Sequence, residues 1–293
     1  IPMTQVAYAK NYDLEYEIKQ ILSGFGYNEI YTYSLIPEEQ LIKLSIDPEK
    51  TLRVDNPISR DFEYLRPNLF GNLLDSYKLN QENFNDFKIY ELGKRYLGET
   101  IDKAKEEYWL WGALSGQKFL KAKGSVELLL KKLRIDFNFR RVTKKDNHYW
   151  FNQEMAVQIE DHKGNYLGVL GVVNQALLAK WEIKEKITCF GLNYDLLEKL
   201  VKKTKQYQPI PKYPAVVEDL ALIIREGIEV EKIMQTIKEI DHLISEVSLL
   251  DSYETTQTFR LTYQSINKTL TNEEVGKIRE KVLKLLKSKF NAT

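Results

Sequence analysis

A single cysteine in 293 residues excludes an internal disulfide framework. Cys189 lies in the apolar run Ile187-Thr-Cys-Phe190, which reads as a buried strand rather than a reactive thiol, and the low count suits a reducing, cytoplasmic setting. The three histidines, His148, His162 and His242, are scattered, with no cysteine or histidine partner at metal-ligand spacing, so no metal site is expected. No P-loop, dinucleotide glycine fingerprint or nucleophile elbow is present; Gly164, Gly168 and Gly171 are spaced as hairpin punctuation. No apolar stretch approaches the roughly 20 residues of a membrane span, and no signal sequence opens the chain. Lys and Arg number 43 against 42 Asp and Glu, so any polyanion footprint must be local. The chain opens on Ile1 rather than Met, which suits a segment of something longer. The carboxylates are dense enough to be a solvated surface, and no catalytic residue stands out.

What remains is ordinary globular composition, 43% hydrophobic and 29% charged, with length for two domains. Leu14, Ile18, Ile21 and Leu22 recur at helical spacing, with Asn11 or Asp13 to cap the start and Gly24 or Gly26 to end the helix. Strands are expected at Glu29–Ile36, Thr51–Asp55, Lys88–Leu97, Tyr108–Ser115, Met155–Glu160 and Tyr166–Val173, the last two joined by a turn at Asp161-His-Lys-Gly164. Pro37 starts a short helix, Leu65-Arg66-Pro67 leads into one bearing Leu69, Leu73, Leu74 and Tyr77, and another lies near Ser125–Leu133. Adjoining strands with fewer helices argue for an α+β class with an antiparallel sheet.

The last ninety residues form a second pattern. Prolines 209, 211 and 214 stiffen a linker that carries Lys202, Lys203, Lys205 and Lys212 without an acid among them. A strand at Asp219–Ile224, a helix near 229–240, strands at Glu246–Tyr253 and Thr258–Ser265 and a final helix follow, which is most of a ferredoxin-like βαββαβ unit. Thr271 and Glu274 make a capping box for that helix, and Val275, Ile278, Val282, Leu285 and Leu286 give it an apolar stripe. Its lysines contrast with an acidic stretch from Tyr213 to Glu254 that includes Glu226. A lopsided module of this kind suggests RNA handling.

Several runs in order resemble one family. They are Gly24–Ser34, Val54–Ser59, Tyr64–Leu69, Gly71–Leu74, Ile89–Arg95 and Leu167–Gly171, then Lys212–Val216, Asp219–Leu222, Leu250–Tyr253 and Lys268–Glu274. The set is similar to the C-terminal part of the β subunit of bacterial-type phenylalanyl-tRNA synthetase. The resemblance implies a class II synthetase-like, non-catalytic sheet domain over residues 1–205 and a ferredoxin-fold anticodon-binding domain over 206–293. It implies a catalytic α subunit as partner, in an αβ pair doubled to a heterotetramer, and tRNA(Phe) as ligand. The whole enzyme would use ATP and magnesium, neither bound by this segment, and editing domains would lie upstream. The glycine-and-arginine signature that holds ATP is missing near Gly171, where Val172, Val173 and Asn174 follow. Three further departures are Val217-Glu218 in place of an arginine before the Asp-Leu-Ala-Leu run, a short loop after Tyr253 without glycine-lysine, and no final strand after Asn291. A stand-alone RNA-binding or regulatory paralogue is the alternative, and an enzyme with a dispersed site a third reading.

Within that resemblance, alternation in Thr258–Gln264 puts Phe259, Leu261 and Tyr263 beneath the helices and Thr258, Arg260, Thr262 and Gln264 on an open face. Arg260 is the leading tRNA contact, or else a surface arginine paired with an acid on the next strand. Gln264 and Thr262 share its face. Tyr253 either stacks on a base or closes the core, and Lys212 and Lys268 are candidate phosphate contacts. For the subunit interface the candidates are Asn56, Pro57, Arg66 and Asn68. Turn and cap formation explain the first two equally well, and Asp61 or Glu63 offers Arg66 a local partner.

Overall fold

A computed structural model describes residues 12–202, 209–225 and 227–292. The expectations placed on Asn11, Lys203, Lys205 and Glu226 lie outside the described residues. The chain divides into two compact units, Ile1–Thr204 and Lys205–Thr293.

The first unit opens with α1 (Tyr12–Gly24), where Leu14, Ile18 and Leu22 are buried. The run expected as a strand at 29–36 is not one. Only β1 (Asn28–Glu29) and β2 (Leu35–Ile36) pair, and the residues between them join no ladder. The expected strand at 51–55 likewise reduces to one bridge, Arg53 to Tyr64, beside β3 (Tyr64–Leu65). Pro37 stands at the N-cap position of α2 (Glu38–Lys43) with no side-chain capping bond, and α3 (Phe70–Asn80) buries Leu73, Leu74 and Tyr77 on the expected side.

Six longer strands then build the sheet: β4 (Lys88–Leu97), β5 (Lys105–Ser115), β6 (Phe137–Arg141), β7 (Phe151–Asp161), β8 (Tyr166–Val173) and β9 (Ile187–Asn193). Among the described residues the order is β1-β4-β5-β9-β8-β7-β6, antiparallel throughout except for the β1–β4 pair. The β7–β8 turn forms as expected, with Asp161 Oδ1 accepting from the amides of Lys163 and Asn165 at 2.8 Å. Helices α4 (Phe119–Lys132), α5 (Gln175–Lys180) and α6 (Tyr194–Leu200) complete the unit.

Strand alternation divides the core into two layers. Leu92, Leu110, Leu170, Phe190 and Leu192 pack with α1, α4 and α6 on one face. Trp109, Trp111, Ala113, Val169 and Cys189 pack with α3 and α5 on the other. Cys189 is fully buried, as its apolar run implies, and burial pushes its thiol above the ordinary range.

The second unit runs β10 (Val216–Ile223), α7 (Val230–Lys238), β11 (Ile244–Tyr253), β12 (Thr256–Tyr263) and α8 (Asn272–Phe290). Its antiparallel sheet has the order β10-β12-β11. This is the βαββα part of a ferredoxin-like unit; among the described residues no further strand pairs with β10. Both helices lie on one face over Leu222, Phe259, Leu261 and Tyr263. In α8 the capping box forms as read, with the Thr271 amide 3.1 Å from Glu274 Oε2 and the Glu274 amide 3.3 Å from Thr271 Oγ1. Val275, Ile278, Val282 and Leu286 are buried, but Leu285 is exposed, because it sits at the margin of the stripe.

Candidate functional site

The α3 face of the large sheet is packed with aromatic rings. Phe70 lies 5.1 Å from Trp111, 5.3 Å from Trp150 and 5.7 Å from Phe151, centroid to centroid. Trp109 continues the row, 6.4 Å from Trp111 and 6.3 Å from Tyr166, and His148 stacks on Tyr166 at 5.6 Å. Glycine in the neighbouring strand makes this possible: a Cβ on Gly191 would come within 2.5 Å of the Trp111 ring.

One acid on this face, Glu107, is already committed. Glu107 accepts from Arg95 Nε at 2.9 Å, from Lys105 Nζ at 2.5 Å and from Trp109 Nε1 at 3.2 Å. Burial alone would raise its pKa, but those hydrogen bonds outweigh burial and hold it at about 2. Such a group stays ionised near neutral pH and is poorly matched to general acid–base work. Among the described residues, no group of three or more His, Cys, Asp or Glu side chains is placed to hold a metal ion.

Arg66 and Glu91 form a buried pair on the same face, 3% and 1% exposed. Arg66 Nη1 donates to Glu91 Oε1 and to Thr32 Oγ1, both at 2.8 Å, while Nε donates to the Lys94 carbonyl at 2.8 Å. Gly93 gives the guanidinium room, since a Cβ there would stand 2.5 Å from Arg66 Nη2. The expectation that Arg66 pairs with Asp61 or Glu63 is therefore corrected. Glu63 pairs with Arg53 instead, and the partner of Arg66 comes from β4. Asn68 is also buried, and its Oδ1 accepts from the amides of Phe70 at 3.0 Å and Gly71 at 3.4 Å, capping α3. These two side chains do not present themselves to a partner. Asn56 is exposed and Pro57 half-buried, in a loop whose neighbouring Ile58 is 98% exposed.

Sequence reading missed two residues beside this network. Tyr31 is 92% exposed and Tyr33 76% exposed, and the Tyr33 ring meets Phe62 edge-on at 5.4 Å. The available signal was the i, i+2 spacing of the tyrosines around an inward threonine.

In the second unit Arg260 lies on the open face as expected, but it is not free. Its Nε and Nη2 each meet a carboxylate oxygen of Asp219 at 2.8 Å, which keeps that carboxyl below the usual range and leaves Nη1 with no hydrogen bond among the described residues. Thr262 is half-buried beside it, opposite Glu246, and Gln264 Nε2 donates to the Tyr213 carbonyl at 2.5 Å. Tyr253 does not close the core: it sits at the end of β11 and is 71% exposed. Lys268 pairs with Glu274 ahead of α8, whereas Lys212 is exposed with no ion pair among the described residues. With Asp219, Glu246 and Asp251 opposite Arg260, Thr262 and Thr258, the open face has excess negative charge. On the helices that pack against the other face, Lys238 of α7 and Lys277, Lys284, Lys287 and Lys289 of α8 have no ion pair among the described residues.

Residues 1–194 match the family described as the phenylalanyl tRNA synthetase beta chain CLM domain, and residues 211–293 match the ferredoxin-fold anticodon binding domain. The phenylalanine–tRNA ligase beta subunit of Carboxydothermus hydrogenoformans is 29% identical over all of this chain and 40% of its own length. That of Clostridium tetani is 26% identical over 95% of this chain and 37% of its own length. The chain thus spans about two fifths of these relatives. Among solved structures, pyrrolysyl-tRNA synthetase from Desulfitobacterium hafniense superposes with a TM-score of 0.52 at 20% identity, covering 63% of this chain and 67% of that one, which bears on the fold alone. With residues 1–194 matching the beta chain CLM domain and residues 211–293 the anticodon binding domain, the chain belongs to the phenylalanyl-tRNA synthetase beta chain family.

Proposed function

We propose that this chain is part of the β subunit of a phenylalanine–tRNA ligase, in which residues 1–205 dock the α subunit and residues 206–293 contact the anticodon region of tRNA(Phe). In this reading the α subunit performs the ligation with ATP and magnesium, in a cytoplasmic αβ assembly doubled to a heterotetramer. The present segment holds no nucleotide or metal and works as scaffold and RNA contact. The observation that carries the reading is the solid aromatic packing of Phe70, Trp109, Trp111 and Tyr166 on one face of a synthetase-like sheet, next to tyrosines that face solvent. Asn56 and Pro57 contribute through the Ile58 loop, and Arg66 and Asn68 through the backbone that they hold.

On the RNA side, Tyr253 supplies a ring for base stacking and Arg260 its remaining Nη1 donor, with Thr262 and Gln264 beside it. Lys212 and Lys268 approach phosphates. The test is a tRNA(Phe) titration of the assembled enzyme at two salt concentrations. Tyr253→Ala is expected to cost about 1–3 kcal/mol through lost stacking, and Arg260→Ala a loss of the same order. Lys284→Ala is expected to cost less. Wild-type binding by both Tyr253→Ala and Arg260→Ala would mean that the open sheet face is not the RNA surface.

A further inference from the structure

Residues 30–34 are rich in strand-forming side chains, yet they join no ladder. They are held from beneath. The Ile30 amide donates to the Tyr90 carbonyl at 2.8 Å. Thr32 Oγ1 donates to Glu91 Oε2 at 2.7 Å and accepts from Arg66 Nη1 at 2.8 Å. Asn72 Nδ2 donates to the Tyr33 carbonyl at 3.0 Å, and the Arg66 amide to the Ser34 carbonyl at 2.8 Å. Thr32 is drawn inward, and Tyr31 and Tyr33 on either side of it are exposed, Tyr33 with one side of its ring against Phe62. Phe62 braces one side of Tyr33, and the Ile58 loop lies in the same chain segment as Phe62.

An ion pair is an expensive way to fill an interior, and apolar residues of the same volume would often stabilise the fold as well or better. Apolar residues could not, however, grip the backbone and hydroxyl of the 32–34 segment from below. Ordering a loop and its side chains on binding weakens association, and a surface ordered beforehand avoids that loss. Tyrosine suits such a surface, because it offers a large rigid body with a polar tip and few rotatable bonds.

We propose that the buried Arg66–Glu91–Thr32 network is a positioning device that pre-forms Tyr31 and Tyr33 as an aromatic strip for the α subunit. This rests on the reading above, in which the first unit docks that subunit. The complementary surface is a pair of apolar sockets with hydrogen-bond acceptors at their floors, able to take each ring and its phenolic hydroxyl. Arg66, Glu91 and Thr32 touch the partner through nothing of their own; they act through the tyrosines.

The experiment titrates the α subunit of the same enzyme into the full chain by sedimentation velocity and follows amide exchange at residues 31–34 alongside. Thr32→Val keeps the shape of the side chain and removes its hydroxyl, and Thr32→Ser restores the hydroxyl. Thr32→Val is expected to weaken association about tenfold and to speed exchange at 31–34 without shifting the melting temperature of the unit in proportion. Thr32→Ser is expected to behave as wild type, and Tyr33→Ala to lose association with its exchange unchanged. If Tyr33→Ala weakens binding and Thr32→Val does not, the strip docks but the network does not position it, and the proposal fails alone. Wild-type association by both variants would remove the strip from the interface. If the unaltered chain ignores the α subunit, the docking reading itself falls, and this proposal with it.

Discussion

Glu107 shows how a single carboxylate can be stabilised against its own burial. Three donors, Arg95, Lys105 and Trp109, converge on it and lower its pKa to about 2 from 4.5. A carboxyl lowered in the folded state contributes stability that is fully present above its unfolded pKa and is lost as pH falls through the folded value. Acid denaturation of the first unit should therefore steepen between about pH 4.5 and 2. Glu107→Gln should lower stability at neutral pH and flatten that part of the profile, measured by urea unfolding across pH. An unchanged profile would mean that the cluster contributes nothing to acid stability. None of this was legible from Arg95-Tyr-Leu-Gly98 and Glu106-Glu-Tyr-Trp109 as strings. The choice of Glu107 over Glu106 depends on which side of β5 carries Trp109 and on the β4 register that sets Arg95 opposite. Arg66 carries the same lesson, because its partner Glu91 lies 25 residues along the chain and competes successfully with nearer acids.

At the level of elements, alternation was the most dependable guide. In β12 it placed Phe259, Leu261 and Tyr263 inside and Arg260 outside, and the structure agrees. β4 and β8 have the bounds read from the sequence, Lys88–Leu97 and Tyr166–Val173. The two failures differ in detail. At 29–36, Glu91 and Arg66 bond the Thr32 hydroxyl and Asn72 bonds the Tyr33 carbonyl where a strand partner would stand. At 51–55, backbone bonds from the Val54 amide to the Glu63 carbonyl and from the Leu65 amide to the Leu52 carbonyl leave a single bridge. Close strand packing is equally invisible in composition. Gly191 reads as an unremarkable residue of an apolar run, yet the Trp111 ring lies over it. Gly191→Ala should cost about 1–3 kcal/mol through overpacking, seen as a lower urea midpoint with the slope unchanged. A neutral effect would show that the aromatic layer has slack.

For the whole molecule, the ordered runs pointed to the family although none of them is decisive alone, and matches over residues 1–194 and 211–293 bear that out. The candidate surfaces were less legible. The sequence pointed to Arg66 and Asn68, which are buried, and passed over Tyr31 and Tyr33, which are exposed, because burial is settled by elements distant along the chain. The central claim is that a synthetase-like sheet has been packed shut and serves as a platform for macromolecules. Phenylalanine-dependent pyrophosphate exchange, run on the purified chain without any α subunit, tests it most directly. No exchange above the enzyme-free background is expected at any ATP or phenylalanine concentration. Exchange that co-purifies with the chain and disappears in a variant at its aromatic face, such as Trp111→Ala, would contradict it.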